Sequence, residues 1–518
     1  MLGTRDPQRS FFGAVAQLGI DVVETMGFYG QLALNWWSLF KDEDFAGGYC
    51  RDNGRPSVPP SMLAIARLLQ HYDGISDAEV IERCRFDSRY KVALDLDLYS
   101  IDPPFAKSTY QGFRARLTLH AKEGMAFERS VQLAREEGLL PDKLRVALDS
   151  SPVRGKGAVK DTFTLLSDAI AAVIRGVAHK AKRKPEEVAD ETGLGRHING
   201  PSIKGSEIVD WDSDEDVSRF LAGLLEDCDR AVELASGTKC ASDEVELLKK
   251  IIEQDVEQEE AGGSPKIRRG VAPGRTPSVA DPEMRHGRKS SGKVFTGHKA
   301  HVAVEETSGV ITGVDVSSPG QADGEKVVEL IEQSKKTTKA EITGAVGDCA
   351  YGTAQAQKQA QEIGIPLDSK MPAPPKGCFG PGDFDVSDDC KTATCPAGQP
   401  SVKQYKAKDG VLHKWSPERC EGCPLKPKCT KAAKRQLIVR PDFHSRRRRE
   451  RWARSQDGRL ELRRRVVVEH AIGRIKNLGA GTARYFGQLK TKAQWQWTAA
   501  VANLSLIWSK TAEAGTRM

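Results

Sequence analysis

Apolar residues fall at helical spacing early in the chain. Met62, Ile65, Leu68, Leu69 and Tyr72 share one face after Pro59-Pro60-Ser61. Ser76-Asp77-Ala78-Glu79 reads as a capping box, with Ser76 accepting from the backbone and Glu79 reaching back. Ser108-Thr109-Tyr110-Gln111 reads as a second box, opening a helix through FRARLTLHA. Residues 55–121 are therefore expected to be helical, as a helix-turn-helix DNA reader or as an ordinary bundle. The period then changes. KLRVAL (143–148) predicts a short strand ending at Asp149. Helical spacing returns over 160–260, in DTFTLLSDAIAAVIRGVA and DVSRFLAGLLEDCDRAVELA. EQEEAGGSPKIRRGVAPGRTPSVADPEMRHGRKSSGK, rich in Gly, Pro and charge, reads as a loop or partly disordered linker.

VFTGHKAHVAVEE (294–306) and GVITGVDVSS (309–318) read as strands of a hairpin turning at Thr307-Ser308-Gly309. A helix in GEKVVELIEQSKK follows, then a strand in ITGAVGD ending at Asp348, a helix from Thr353 to about Glu362, and a strand beginning at Ile365-Pro366-Leu367. This order implies a mixed α/β sheet. Near the end, Val501, Leu504 and Trp508 keep helical spacing and predict a helix packed on the core.

Composition narrows the class. A length of 518 residues suggests three or four domains. The hydrophobic fraction is 39% and the charged fraction 29%, which fits a soluble protein with long polar segments. No apolar run reaches bilayer length and no signal peptide is legible, so a cytoplasmic protein without membrane contact is expected. The net charge is +7, but the stretch from Arg435 to Lys476 is strongly basic. Arg446, Arg447, Arg448 and Arg449 are unbroken there, with Trp452 nearby. Such guanidinium groups suit a phosphate backbone, or form a solvated charged helix.

Two kinds of chemistry stand out. Asp149 and Asp348 each follow an apolar strand, where functional side chains collect in α/β sheets. Brought together they would repel unless a divalent cation such as Mg²⁺ intervened; singly, each could be a cap or turn residue. If LELRRRVVVEHAIGRIKNLGAG is helical, Arg465, Glu469, Ile472 and Lys476 share a face, as a metal and phosphate site or as a surface ion-pair ladder. His298 and His301 face opposite sides of their strand and are assigned structural roles, and Cys349 that of a buried small hydrophobe. Five of the eleven cysteines lie between Cys390 and Cys429. Cys395, Cys420, Cys423 and Cys429 make a candidate structural Zn²⁺ set with Cys390 in reserve; reduced free thiols are the alternative.

Together these patterns resemble insertion-sequence transposases of the DDE type, with a ribonuclease-H-like catalytic core. LDSSPV (148–153) resembles the first-Asp strand, GHKAHVAVEETSGVITGVDVSSPGQADG (297–324) the hairpin, and GDCAYGT (347–353) the second-Asp motif. RRRVVVEHAIGRIK (463–476) resembles the signature with Arg four before the catalytic Glu and Lys seven after it, with Leu462 in place of the expected aromatic. GRPSVPPSMLAIARLLQHYDGISDAEVIERC resembles the helical N-terminal transposase domain, and the cysteine-rich insertion has counterparts in relatives. The resemblance covers most of the chain apart from much of 156–280.

The resemblance implies an α/β ribonuclease-H-like mixed sheet (141–155, 285–372 and 435–518), a helical N-terminal DNA-binding domain (1–140), a helical insertion with linker (156–284) and a cysteine-rich zinc insertion (373–434). It implies Mg²⁺ or Mn²⁺ on Asp149, Asp348 and Glu469, phosphate contacts from Arg465 and Lys476, and cleavage at transposon ends followed by 3′-OH strand transfer. Handling two ends implies a homodimer or larger assembly on DNA. The rival expectations are a non-catalytic DNA-binding derivative and a structure-specific nuclease of the same fold.

Overall fold

The computed structural model describes the chain except residues 7, 9, 52, 201, 239–240, 258–263, 291, 371–376, 409 and 517–518. The N-terminal region is helical, with α1 (Gly27–Leu39), α2 (Pro60–Asp73), α3 (Asp77–Phe86), α4 (Lys107–Leu119) and α5 (Met125–Glu136). Pro60 opens α2, and Gly74, at φ +70°, closes it. The Ser76–Glu79 box caps α3 as its spacing predicts. The second predicted box does not form. α4 starts at Lys107 behind Ala106, and Ser108 lies exposed inside its first turn. Phe105 and Tyr110 instead stack across the helix start, 5.8 Å between ring centres, as a hydrophobic staple. Helix α2 is enclosed along most of its length, including Arg67, Gln70 and His71.

Strand β1 (Lys143–Arg154) is twice as long as its apolar run. Next come α6 (Thr162–Ala181), α7 (Asp214–Thr238), α8 (Ser242–Asp255), β2 (Arg285–Ser290), β3 (Lys293–Glu305), β4 (Ile311–Ser317), α9 (Val327–Thr338), β5 (Glu341–Gly347), α10 (Ala354–Glu362) and β6 (Leu367–Ser369). The sheet order is β4-β3-β1-β5-β6, with β2 beside the first part of β3. β1 is antiparallel to β3 and parallel to β5, and β5 is parallel to β6. The mixed α/β sheet expected from the element order is present.

Two expectations change here. Asp149 lies inside β1, not past its end, because β3 pairs with β1 from Val146 to Arg154 and holds Asp-Ser-Ser-Pro extended. β5 stops opposite Leu148, so Pro152 occupies a stretch with only one neighbour, where its missing N–H costs no ladder bond. The linker is also less loose than its composition predicts. Its last part forms edge strand β2, and Thr276, Ser278 and Asp281 are buried; residues 258–263 and 291 lie outside the described residues.

Alternation along β1 sorts its two faces. Leu144, Val146 and Leu148 pack with Val327, Leu330 and Ile331 of α9 and Ala356 and Ala360 of α10. Ala147 and Val153 enter the other, larger core. That core also takes in α13 (Val466–Ile475), α14 (Gln488–Thr516) and the N-terminal helices, so the helical region and the sheet share one apolar interior. Asn503 of α14 ties them together. Its amide exchanges 2.9 Å bonds with both backbone groups of Ile311 and donates to Ser130 Oγ at 3.2 Å. Val501 and Leu504 are buried and Trp508 packs beside them, as their spacing predicts.

Two satellites have cores of their own. Helices α6 to α8 close around Leu166, Ile170, Val173, Leu221, Leu224 and Leu248. The cysteine-rich part holds β7 (Lys403–Ala407), β8 (Gly410–Lys414) and β9 (Gln436–Val439), packed with Phe384, Trp415 and Phe443. Its packing thus extends past residue 434. Among the described residues no helix is long and apolar enough to cross a membrane.

Candidate active site

The strands bring the two aspartates together. Leu148 is paired with Gly347 in parallel register, so Asp149 and Asp348 are the next residues along neighbouring strands. Asp149 has the parity of Ala147 and Val153, which places it on the α13 face of the sheet. Asp348 leaves β5 and caps the turn Cys349–Gly352, accepting from Ala350 N at 2.8 Å. Glu469 lies in the first turn of α13, which packs on β1 and β3.

The electrostatics of Asp149 report the convergence. Its carboxyl is pushed up to about 6, chiefly by burial. Asp348 and Glu469 raise it further, while the Ser150 N–H, 2.7 Å from Oδ1, and Arg465 oppose the shift. Three carboxylates from separate elements thus share one field, so their donor chemistry suits a hard divalent cation. Arg465 is already engaged, since its Nη2 pairs with Glu469 Oε1. Among the described residues no group of three or more His, Cys, Asp or Glu side chains stands in metal-holding geometry.

The basic residues of the signature need a correction to their scaffold. The expected continuous helix is broken between α12 (Gln456–Arg463) and α13, and Arg465 is the N-cap residue of α13. Its backbone stays in the α region, so the pairing four residues on survives. Lys476 begins a π-helical turn beyond α13. Burial and then Lys289 lower its pKa, and Asp149 pulls it back up. Lys476 therefore lies near the acids, and edge strand β2 adds Lys289, which linker-like composition concealed. Leu462, where the signature has an aromatic, is buried in the main core.

Asp323 is a fourth acid beside the site that the sequence reading did not single out. It accepts from Ser150 Oγ and from Lys299 Nζ, each at 2.9 Å. Tyr351 is fully buried, its hydroxyl lacks a hydrogen-bond partner, and Asp323, Asp149 and Asp348 all raise its pKa. The one available signal for Asp323 was its place in GQADG after the hairpin. Cys349 is exposed, contrary to the buried role expected for it, because Tyr351 and Gly352 take the inward positions of the turn. His298 and His301 are fully enclosed. Their Nε2 atoms meet Asp281 at 3.2 Å and Ser317 Oγ at 2.8 Å, and burial pushes His301 down to about 4.

The arginine run sits in α11 (Phe443–Arg454) and spreads around the helix. Arg448 is exposed and Arg446 half-buried. Arg447 reaches Asp385 at 3.2 Å, and Arg449 donates to Gln357 at 2.8 Å. Cys395, Cys420, Cys423 and Cys429 line one small cavity beneath Trp415. Burial and the other three thiols raise the Cys429 pKa, against the opposing pull of Arg435. Cys390 is outside this group, at φ +58°, with its carbonyl accepting from His413.

Two family matches complete the picture. Residues 394–508 match the Transposase DDE domain, and residues 31–116 match the Transposase domain (DUF772). The first match spans Glu469 and the four cavity cysteines; the strands carrying Asp149 and Asp348 lie outside it. No curated protein matches the chain.

Proposed function

We propose that this chain, two segments of which match transposase domains, is an insertion-sequence DDE transposase that cuts DNA at transposon ends and joins the freed 3′-OH to target DNA. The observation that carries the reading is that neighbouring strands of a mixed sheet bring Asp149 and Asp348 side by side, with Glu469 acting on the same carboxyl. These three residues would hold the divalent ions, Mg²⁺ or Mn²⁺. When bound, such ions supply charge that activates the attacking oxygen and stabilises the leaving one. Arg465 and Lys476 hold the scissile phosphate in line, and Arg465 must release Glu469 to do so. Arg446, Arg447, Arg448 and Arg449 contact the backbone farther along, with Arg448 the most available.

In this reading the chain divides into a helical DNA-binding region (1–140), the catalytic sheet, the helical insertion and the cysteine-rich insertion. Two copies act together on two ends. Cys395, Cys420, Cys423 and Cys429 hold a structural Zn²⁺. Cys420→Ser with Cys423→Ser should then abolish bound zinc in purified protein measured by mass spectrometry; unchanged zinc rejects the set.

The main test uses labelled duplexes carrying the inverted repeats that bracket the gene. Mg²⁺-dependent joined products are expected, falling roughly 10³-fold or more in Asp149→Asn, Asp348→Asn and Glu469→Gln. Cleavage that survives all three substitutions sinks the assignment. Cleavage without joining makes the protein a nuclease, and binding without cleavage a DNA-binding derivative.

A further inference from the structure

Among the described residues Arg67 is a deeply enclosed cation with no ion pair. It is 4% exposed on α2, and its Nε and Nη1 atoms are buried with no hydrogen-bond partner. Its guanidinium lies over the Trp497 ring, 4.9 Å from the centroid. A buried charge without a counter-charge is costly, so a native protein ordinarily supplies one. Asp77, a carboxylate whose charge acts on Arg67, is committed elsewhere: Arg114 grips both its oxygens, at 2.5 and 2.7 Å.

Arg67 lines a cavity of about 210 Å³ between α4 and the start of α14. Arg114 and Tyr485 form its inner wall, 2.7 Å apart. Gln111, Thr118 and Lys490 stand exposed at its mouth. Glu123 is the single carboxylate among the described lining residues. The surrounding field is positive. Burial pulls the Arg67 pKa down, and burial first, then Arg67, Arg484 and Arg114, hold the enclosed His71 well below its ordinary value.

We propose that this cavity is a phosphate-binding site, in which Arg67, Arg114 and Lys490 receive a tetrahedral oxyanion. Its source is a DNA backbone phosphodiester or free phosphate. The DNA source rests on the transposase reading; the anion site does not. The position suits a DNA contact coupled to the acids. Tyr485 belongs to the segment that follows Lys476, and this segment is bonded to the end of β1. Arg154 N donates to Gly481 O at 3.0 Å, and Ala483 N to Arg154 O at 2.8 Å. A phosphate seated here would bear on the strand that carries Asp149.

The test uses the full chain, Arg67→Met, which keeps an unbranched apolar stem and removes the charge, and Lys490→Ala at the rim. Thermal unfolding is followed in inorganic phosphate and in chloride at matched ionic strength. Duplex DNA affinity is followed against salt. The wild type should be stabilised by phosphate over chloride. Arg67→Met should lose that shift while melting no lower than wild type in chloride. A lower melt in chloride together with no phosphate response in the wild type makes Arg67 a structural residue and overturns the site. Should Arg67→Met fail to fold, Lys490→Ala decides: an undiminished phosphate shift in it also overturns the site. A slope of log affinity against log salt shallower by about 0.9 in Arg67→Met identifies a DNA phosphate. An unchanged slope in Arg67→Met, with the phosphate shift present in the wild type and lost in the variant, identifies free phosphate. A wild type that binds no duplex defeats the transposase reading, and the melting comparison still tests the cavity.

Discussion

Asp149 carries a penalty that changes with pH. Its folded pKa is about 6, against an ordinary carboxyl value of 3.8. Between these values the folded state binds more protons than the unfolded one, so stability falls as pH rises through the interval. The penalty is complete above about pH 6 and absent below pH 4. Without metal, Asp149→Asn should therefore stabilise the protein at pH 7 by about 2 kcal/mol, a figure reduced for partial solvent screening, and by little near pH 4. Denaturation in a chelating buffer at the two pH values measures the difference. An equal effect at both would mean that the carboxyl does not titrate in this window. The same linkage sets metal binding: stabilisation of the wild type by Mg²⁺ should weaken as pH drops below 6, and be lost in the variant.

Helix starts provide a test of which local signals count. Ser76 Oγ accepts from Glu79 N and the Glu79 carboxylate accepts from Ser76 N at 2.8 Å, whereas Ser108 caps nothing. Ser76→Ala should cost about 1 kcal/mol, and Ser108→Ala should stay within about 0.5 kcal/mol of wild type. Equal losses in thermal melts would refute the assignment of the α4 start to the Phe105–Tyr110 staple. The contrast also explains what the sequence discloses. Elements written in apolar period were legible: α2, α9, β5 and the core-facing side of α14. Elements held by partners were not. Residues 149–154 are strand because β3 pairs with them, and β2 is strand because β3 offers an edge. The pairing of Arg465 with Glu469 was legible from spacing, since it is local. Asp323 was not, because only tertiary structure brings it to Ser150 and Lys299. Likewise the arginine run was visible, but its division between exposed Arg448 and engaged Arg447 and Arg449 depends on Asp385 and Gln357.

At the scale of the molecule, the three acids are far apart in sequence because two segments with apolar clusters of their own lie between the elements that carry them. The helical insertion leaves after β1 and returns at β2. Its buried apolar residues run from Phe163 to Val256 and belong to a cluster distinct from the core beneath the acids. Its inner polar groups are mostly satisfied within it. Asp227 receives His197 and Arg196, and Asp255 receives Arg275 and Thr162. A link to the sheet is the buried contact of Asp281 with His298. An element that buries its own apolar face and pairs its own charges folds without its host. A fragment spanning residues 156–284 should therefore be helical by circular dichroism and melt cooperatively. His298→Ala in the full chain should loosen the attachment, seen as faster proteolysis near residue 281, while leaving that cooperative unit intact. A fragment without cooperative melting would mean that the sheet supplies part of its core, and that the insertion and the site fold as one body.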